Sequence, residues 1–206
     1  MIFSKIKNIC FKHQDCFLII AIFLFATLLL SAISIFAKHT VVFPDETLYY
    51  DIARSIFYGG GNKFFNFNIG FQKIAYSLMI SPFFAIKDSV LRIYMISLFN
   101  ATILATSIFP LWLISRRFVE KKYCYVIIGL HILFPYMLLS LTLMAEILYY
   151  PLLLWVIYFW LYNREKHLYP VSIFLGALLY FTFLCKEIAI IFLIALVLVN
   201  LLSPLI

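Results

Sequence analysis

Four long apolar runs divide the chain, and polar or mixed segments separate them. The runs cover residues 17–37, 90–115, 123–162 and 168–206. A helix needs about 20 apolar residues to cross the hydrocarbon core of a bilayer. The first two runs each predict one crossing, whereas the third and fourth, with 40 and 39 residues, each predict a hairpin of two crossings. The pattern therefore predicts an all-α, polytopic membrane protein with about six transmembrane helices.

The loop between the first two runs predicts amphipathic juxtamembrane helices. Its segment PDETLYYDIARSIFYGG, residues 44–60, opens with a proline and two acids that favour a helix start, and closes at glycines that favour a helix end. Apolar side chains recur at helical spacing on one face: Leu48, Tyr49, Ile52, Ala53, Ile56 and Phe57. The other face is polar: Glu46, Tyr50, Asp51 and Arg54. Residues 74–86 are apolar but too few to cross, and we expect them to lie along the interface.

The composition agrees with a membrane protein. The chain is 66% hydrophobic and 12% charged, against about 45–50% and about 25% for soluble domains. Its net charge of +7 could indicate a nucleic-acid partner, but the basic residues form short clusters between the apolar runs and no nucleic-acid motif is found. Membrane lipids are therefore the expected partner, and nucleic acid is not.

The basic clusters predict the orientation, because cytoplasmic loops are enriched in Lys and Arg. We place three clusters in the cytosol: Lys5, Lys7 and Lys12; Arg116, Arg117, Lys121 and Lys122; Arg164 and Lys166. The prediction is a multi-pass protein of the plasma membrane with its N-terminus in the cytosol. It comprises a cytosolic tail (1–16), a first transmembrane helix (17–37), an outer loop (38–89) and five further transmembrane helices (90–206).

This topology brings charged residues that are distant in the sequence to the outer face. They are the pairs Asp45–Glu46 and Lys186–Glu187, together with Glu146. Charge at or inside a membrane is costly and usually functional. Glu146 could bind a metal, a donor phosphate or an acceptor, or could cap the fourth transmembrane helix. Lys186 and Glu187 could instead mark a hairpin turn among lipid head groups.

Asp45 and Glu46 allow three interpretations. They could cap a helix and be solvated, or one of them could act as a general base that takes a proton from an acceptor hydroxyl. The two carboxylates could also hold a divalent cation that screens a phosphate, which is the one cofactor the sequence suggests. Tyr50 and Arg54, on the polar face of the same predicted helix, are candidates for substrate binding.

Five segments resemble the N-terminal part of the GT-C superfamily of integral-membrane glycosyltransferases. They are FPDETLYYDIARSIFYGG after the first span, YSLMISPFFAI, LFNATILATSIFPLWLISRRF, LMAEILYYPLLLW and LCKEIAII. The similarity is greatest to polyprenyl-phosphate-sugar-dependent enzymes, which include protein O-mannosyltransferases and lipid A aminoarabinose transferases. It covers nearly the whole chain through the order, spacing and topology of the segments.

The resemblance implies transfer of a hexose or pentose from a polyprenyl-phosphate donor to a glycan, lipid or protein acceptor on the outer face. The acid of the first outer loop is the expected catalytic base of this family. By position it maps onto Asp45, with Glu46 as its neighbour or alternative. Lys186 is the implied partner of the departing phosphate, and Glu146 is an implied substrate contact.

Two other functions fit the same sequence. Family members usually continue for several more spans, so the resemblance leaves open whether this chain is a complete enzyme, a fragment, a split gene product or a degenerate copy, and whether it is active alone. It could be a non-catalytic membrane subunit that supports another enzyme. It could also be part of a transporter or flippase that uses Glu146 and Lys186 as an intramembrane relay.

Two polar residues lie inside the predicted spans. They are Asn100 in the second span and His131 in the third. Both are expected to form hydrogen bonds to neighbouring helices, because a polar group in hydrocarbon needs a partner.

Overall fold

The computed structural model describes residues 13–37, 43–69, 74–166 and 168–202, and this part of the chain is almost entirely helical. The predicted all-α class is therefore confirmed. The α-helices are α1 His13–Phe36, α2 Pro44–Phe57, α3 Ile74–Ile80, α4 Ser89–Ala105, α5 Ile108–Phe118, α6 Lys121–Leu133, α7 Glu146–Lys166, α8 Tyr169–Cys185 and α9 Ala189–Leu202. Two 3-10 helices cover Ser81–Ala85 and Pro135–Leu141, and strands β1 Lys63–Phe64 and β2 Phe67–Asn68 form a hairpin.

Two helical units are long and apolar enough to cross a membrane. They are Asp15–Phe36 within α1 and Ser89–Phe118, which combines α4 and α5. A third crossing results if α6 and the following 3-10 helix, bent by 49° relative to each other, form one span. Among the described residues the apolar helices thus give two or three spans, which is compatible with a membrane protein. At 1.5 Å per residue the 17 residues of α8 reach about 26 Å, short of the roughly 30 Å hydrocarbon core.

The predicted second span is interrupted in the middle. Between α4 and α5 the hydroxyl of Thr106 donates a hydrogen bond to the carbonyl of Ile103 at 2.5 Å, and that of Ser107 donates to Leu104 at 2.6 Å. Such side-chain bonds to the preceding turn compete with helical hydrogen bonding and bend helices. The break is therefore encoded locally, although the apolar pattern alone predicts a continuous helix.

The third apolar run does not form the tight hairpin that its length predicts. Helix α6 ends at Leu133, and the 3-10 helix starts at Pro135, whose ring is disfavoured in a helix interior. Helix α7 then begins at Glu146, so this residue does lie at the turn as predicted. The fourth run does form a tight hairpin, with α8 and α9 joined by residues 186–188.

Two hydrophobic clusters mark opposite ends of the helical assembly. One cluster packs α2, α3 and the start of α7 together and includes Tyr49, Tyr76 and Ile147. The other joins α1, α5 and α6 around Trp112, near an ion pair between Asp15 and Lys121. Hereafter the first is called the α2 end and the second the Asp15 end.

Helix α2 starts and stops as predicted, but its predicted polar face is wrong at two positions. Its buried residues include Tyr49, Ile52 and Ala53, which confirms the apolar face, and the Tyr49 carbonyl accepts a hydrogen bond from the Ser77 hydroxyl at 3.0 Å. Glu46 and Asp51, however, are also buried. Each of these two buried carboxyl groups accepts hydrogen bonds within the protein, as described below.

Candidate functional site

Lys186 and Glu146, 40 positions apart in the sequence, form an ion pair at the α2 end. The ammonium group of Lys186, in the connection between α8 and α9, donates a hydrogen bond to Oε1 of Glu146, the first residue of α7. The side chains are 32% and 19% exposed, so the pair is partly shielded from water. A carboxylate at a helix N-terminus is also stabilised by the helix dipole.

Asp45 lies on the exposed start of α2, one turn before Tyr49. Tyr49 packs in the same buried cluster as Ala145, Ile147 and Cys185, the chain neighbours of Glu146 and Lys186. Burial raises the pKa of the Tyr49 hydroxyl, and the negative charges of Glu146, Asp45 and Glu187 raise it further. We call the four predicted outer-face residues Asp45, Glu146, Lys186 and Glu187 the outer charge cluster.

Glu46 has a different environment from its neighbour. It is only 3% exposed, and its Oε1 atom has no hydrogen-bond partner. Burial raises the pKa of the carboxyl group, and backbone hydrogen bonds from Leu143 and Phe43 offset part of this effect. Phe43 is the N-cap of α2, so the contact resembles the carboxylate half of a capping box. Glu46 therefore links the start of α2 to the segment that precedes Glu146.

The different environments of Asp45 and Glu46 follow from helix geometry. Adjacent residues of an α-helix point about 100° apart, so one carboxylate faces water while the next faces the protein. Asp45 is exposed whereas Glu46 is 3% exposed, a difference that does not favour a divalent cation held between the two carboxylates. Across the part of the chain that the structure describes, no group of three or more His, Cys, Asp or Glu side chains is arranged to hold a metal ion.

Asn100 forms hydrogen bonds that connect the elements next to the site. Its amide nitrogen lies 3.0 Å from the Tyr76 hydroxyl and donates a 2.8 Å hydrogen bond to the carbonyl of Thr142. Asn100 is completely buried, so these bonds are shielded from competing water. The predicted interhelical hydrogen bond of Asn100 is confirmed, and it ties α4 to α3 and to the segment that carries Glu146.

Tyr50 and Arg54 lie outside the outer charge cluster. The ring of Tyr50 packs on Phe84 at 4.8 Å between centroids. Arg54 is nine residues from Asp45, which places it about half a turn around the helix, and it pairs with Asp51 at 2.6 Å. The structure therefore does not bring these two predicted substrate contacts to Asp45, Glu146 and Lys186.

His131 forms the predicted contacts between helices. Its Nε2 atom lies 2.7 Å from the Ser107 hydroxyl, and its Nδ1 atom lies 3.4 Å from the hydroxyl of Tyr150. Tyr150 packs on Tyr136, whose hydroxyl donates to the Glu146 carbonyl at 3.3 Å. This polar chain supports the first turn of α7.

The sequence pattern does not indicate Tyr49, Tyr76 or Leu143 as part of the site. It places Tyr49 on the apolar face of α2, and Tyr76 lies in an apolar segment. Tyrosine at a buried position carries a hydroxyl that needs a partner, which is the signal that could have indicated both. The contribution of Leu143 is a backbone amide, which no side-chain pattern reveals.

The arrangement provides an exposed carboxylate, a partly shielded ammonium group and a second carboxylate at one end of the helices. A carboxylate can accept a proton, and an ammonium group can stabilise negative charge on a phosphate. No family model matches this chain, and no curated protein or solved structure matches it either.

Proposed function

We propose that this chain acts as, or as part of, a membrane glycosyltransferase of the GT-C type. It would transfer a hexose or pentose from a polyprenyl phosphate to an acceptor hydroxyl on the outer face of the plasma membrane. The observation that supports the proposal is the outer charge cluster: Lys186 pairs with Glu146, and Tyr49, one turn after Asp45 on α2, packs against their chain neighbours Ala145, Ile147 and Cys185. The donor head group of such a reaction is presented at the membrane surface.

The proposed topology has six crossings. They are α1, α4 with α5, α6 with its 3-10 helix, α7, α8 and α9. The Asp15–Lys121 pair joins the start of α1 to the start of α6, as expected if both lie on the cytosolic side. The Lys186–Glu146 pair joins the start of α7 to the end of α8, as expected if both lie outside.

In the proposed reaction the acceptor oxygen attacks the anomeric carbon of the donor sugar. The bond from that carbon to the phosphate oxygen breaks, and polyprenyl phosphate leaves with the bonding electrons. Asp45 takes the proton of the acceptor hydroxyl, and direct attack inverts the anomeric carbon. Lys186 stabilises the charge on the phosphate, while Glu146 holds the lysine in place before the donor binds.

Glu46 has a positioning role in this proposal. Its buried carboxyl group cannot reach an acceptor without uncovering, but it connects the start of α2 to Leu143. It thereby fixes the distance between Asp45 and the segment that leads to Glu146.

The test measures release of prenyl phosphate by the full chain in lipid nanodiscs, with farnesyl phosphates of mannose, glucose, arabinose and aminoarabinose as donors and octyl glucoside as acceptor. Asp45→Asn should lower the release rate by about 10²–10⁴-fold, the usual contribution of a general base. The matched control is Glu120→Gln, because Glu120 is an exposed acid at the Asp15 end. Full activity of Asp45→Asn would remove Asp45 from the mechanism, and absence of release from every donor would contradict the proposed transfer.

A transporter or flippase component is the second candidate function. The partly shielded Lys186–Glu146 pair between α7 and α8 favours it, because charged pairs within membrane proteins often lie on substrate pathways. Cysteines placed at positions 146 and 186 separate the two functions. Rapid labelling from outside supports surface chemistry, whereas labelling that depends on a transported substrate supports transport.

A further inference from the structure

A second charged pocket lies on the face of α2 that points away from the outer charge cluster. It has a volume of about 340 Å³ and is enclosed by the second half of α2 and the β1–β2 hairpin. Two cations line it, Arg54 from α2 and Lys63 from β1, together with the aromatic rings of Tyr58 and Phe65. Arg54 is 58% exposed and Lys63 is exposed, so both cations are accessible from outside.

The buried carboxylate of Asp51 joins the two elements that line this pocket. Oδ1 of Asp51 accepts a hydrogen bond from Arg54 at 2.6 Å, and Oδ2 accepts one from the backbone amide of Phe65 at 2.8 Å. One side chain therefore fixes both the guanidinium group and the hairpin turn. Asp51 thereby holds Arg54 and the hairpin backbone in place on one side of the pocket.

The hairpin turn holds an exposed phenylalanine, Phe65, in an unfavourable backbone conformation. Phe65 and Asn66 form its two-residue turn with φ of 44° and 70°, as type I′ turns require. Phenylalanine is a poor residue for a positive φ, and here its ring is also 61% exposed. Phe67 on β2 is 77% exposed and Tyr58 is 71% exposed. An exposed aromatic patch held by strained backbone indicates a surface made for contact.

The aromatic patch extends toward the start of α4 through Phe57, whose ring lies 5.1 Å from that of Tyr58. The ring of Phe57, at the end of α2, lies 6.5 Å from that of Phe84, and the guanidinium of Arg92 lies 4.7 Å above Phe84. Arg92 is in the first turn of α4, where Val90 and Leu91 are 62% and 52% exposed. Exposed aliphatic residues next to an arginine and aromatic rings are typical of the level of the lipid head groups.

We propose that this pocket binds the phosphate of an anionic phospholipid in the outer leaflet. Arg54 and Lys63 hold the phosphate, while Phe65, Phe67 and Tyr58 insert among the glycerol and upper acyl groups. Asp51 offsets the charge of one of the two cations, so the pocket carries one net positive charge, which favours an anionic head group. The exposed rings favour a lipid over a soluble phosphate. The site requires only that α2 lies at the membrane surface, so it stands independently of sugar transfer.

Native mass spectrometry of the detergent-solubilised full chain tests the head-group preference. The first bound lipid is measured with phosphatidylglycerol and phosphatidylcholine in equal amounts. Phosphatidylglycerol should dominate, and Arg54→Ala and Lys63→Ala should each weaken its binding by about fivefold, the usual effect of one cation near an anionic lipid. Lys87→Ala is the matched control, because Lys87 is an exposed lysine of the same outer loop, and it should leave the preference unchanged.

Three outcomes of that experiment would overturn the proposal. The first is an unchanged preference in the Arg54→Ala, Lys63→Ala double variant, and the second is an equal loss in Lys87→Ala. The third is displacement of the lipid by millimolar glycerol phosphate or maltose, which would assign the pocket to a soluble phosphate or a saccharide.

Labelling in lipid nanodiscs tests the depth of the hairpin separately. Phe65→Cys should react with a membrane-impermeant maleimide at least about tenfold more slowly than Asp45→Cys, because lipid covers the turn while Asp45 is exposed at the start of α2. Peptide mass spectrometry distinguishes these positions from the native cysteines. Equal rates at 65 and 45 would place the hairpin in water and contradict the proposal.

Discussion

The ammonium group of Lys186 donates a hydrogen bond to the carboxylate of Glu146 across two helix ends. Lys186 follows α8 directly, and Glu146 begins α7, so the bond closes one end of the α7–α8 pair. Two apolar helices in a bilayer that pack only by apolar contacts could slide along each other, because lipid is as apolar as their surfaces. A single ion pair at their ends fixes their relative height.

Removal of one partner of this pair should destabilise the protein more than removal of both. Glu146→Gln or Lys186→Met leaves a partly buried charge without its counter-ion, and each should cost about 1–3 kcal/mol. In the double variant no charge remains unpaired, so its loss in the free energy of unfolding should be smaller than either single loss. Thermal unfolding in detergent of the four proteins gives the coupling free energy.

A double-mutant cycle at the exposed pair Lys122–Glu120 is the control. Its side chains are 67% and 75% exposed, and its coupling should not exceed about 1 kcal/mol. Equal coupling free energies at the two sites would mean that the Lys186–Glu146 pair is only a solvated surface contact.

Asn100 should be among the most sensitive polar positions of the fold. Asn100→Leu keeps the volume but leaves the Tyr76 hydroxyl and the Thr142 carbonyl unpaired in a fully buried place. We expect a loss of about 2–4 kcal/mol in the free energy of unfolding, against about 1 kcal/mol for Tyr76→Phe, which removes one hydroxyl. Denaturant titration in mixed micelles measures both. A smaller loss for Asn100→Leu than for Tyr76→Phe would contradict the central role of the amide.

Glu46 should make the stability depend on pH. Its folded-state pKa lies above the ordinary value of 4.5 because burial disfavours the charged form. The folded state therefore binds the proton more tightly than the unfolded state. The stabilisation is complete below about pH 4.5 and is lost as the pH rises through the raised pKa.

The measurement is the melting temperature as a function of pH for the wild-type protein, Glu46→Gln and Asp45→Asn. Glu46→Gln should remove this decline toward neutral pH, since the amide keeps an acceptor oxygen but cannot ionise. Asp45→Asn should retain the decline, because Asp45 is exposed. A decline that persists unchanged in Glu46→Gln would assign the effect to another group.

The sequence pattern predicts the local structure well where periodicity and end signals agree. Pro44, two acids and a glycine run delimit α2, and the structure places the helix at Pro44–Phe57. The turn positions of Glu146 and Lys186 are likewise confirmed, because a charge within an apolar run is stable only near an end. These signals depend on neighbouring residues, so one sequence suffices to recognise them.

Other features depend on contacts that the pattern does not contain. The hairpin of residues 63–68 has no alternation of apolar and polar residues, and the Asp51 carboxylate that holds its turn lies 14 positions from Phe65. The buried state of Glu46 depends on Leu143, nearly a hundred residues away. Helical periodicity places Glu46 and Asp51 on a polar face, but tertiary contacts decide that both are covered.

The six-span arrangement predicts which helix ends face each side of the membrane, and topology mapping tests this prediction. The ion pairs Asp15–Lys121 and Glu146–Lys186 mark the two ends of the helical assembly. If the six crossings are real, these ends lie on opposite sides of the membrane. Cysteines at positions 45 and 187 should then react with an impermeant maleimide in intact cells. Cysteines at positions 122 and 164 should react only after permeabilisation.

Positions 45 and 187 and positions 122 and 164 serve as controls for each other. All four residues are in or next to helix ends, and the two pairs differ in the side of the membrane predicted for them. Asp45 and Glu187 are exposed, as are Lys122 and Arg164, so accessibility within the protein does not explain a difference. With an odd number of crossings between positions 45 and 187, these two positions would label from different sides. The outer charge cluster would then be incompatible with the membrane, because one bilayer face cannot hold residues that react from opposite sides.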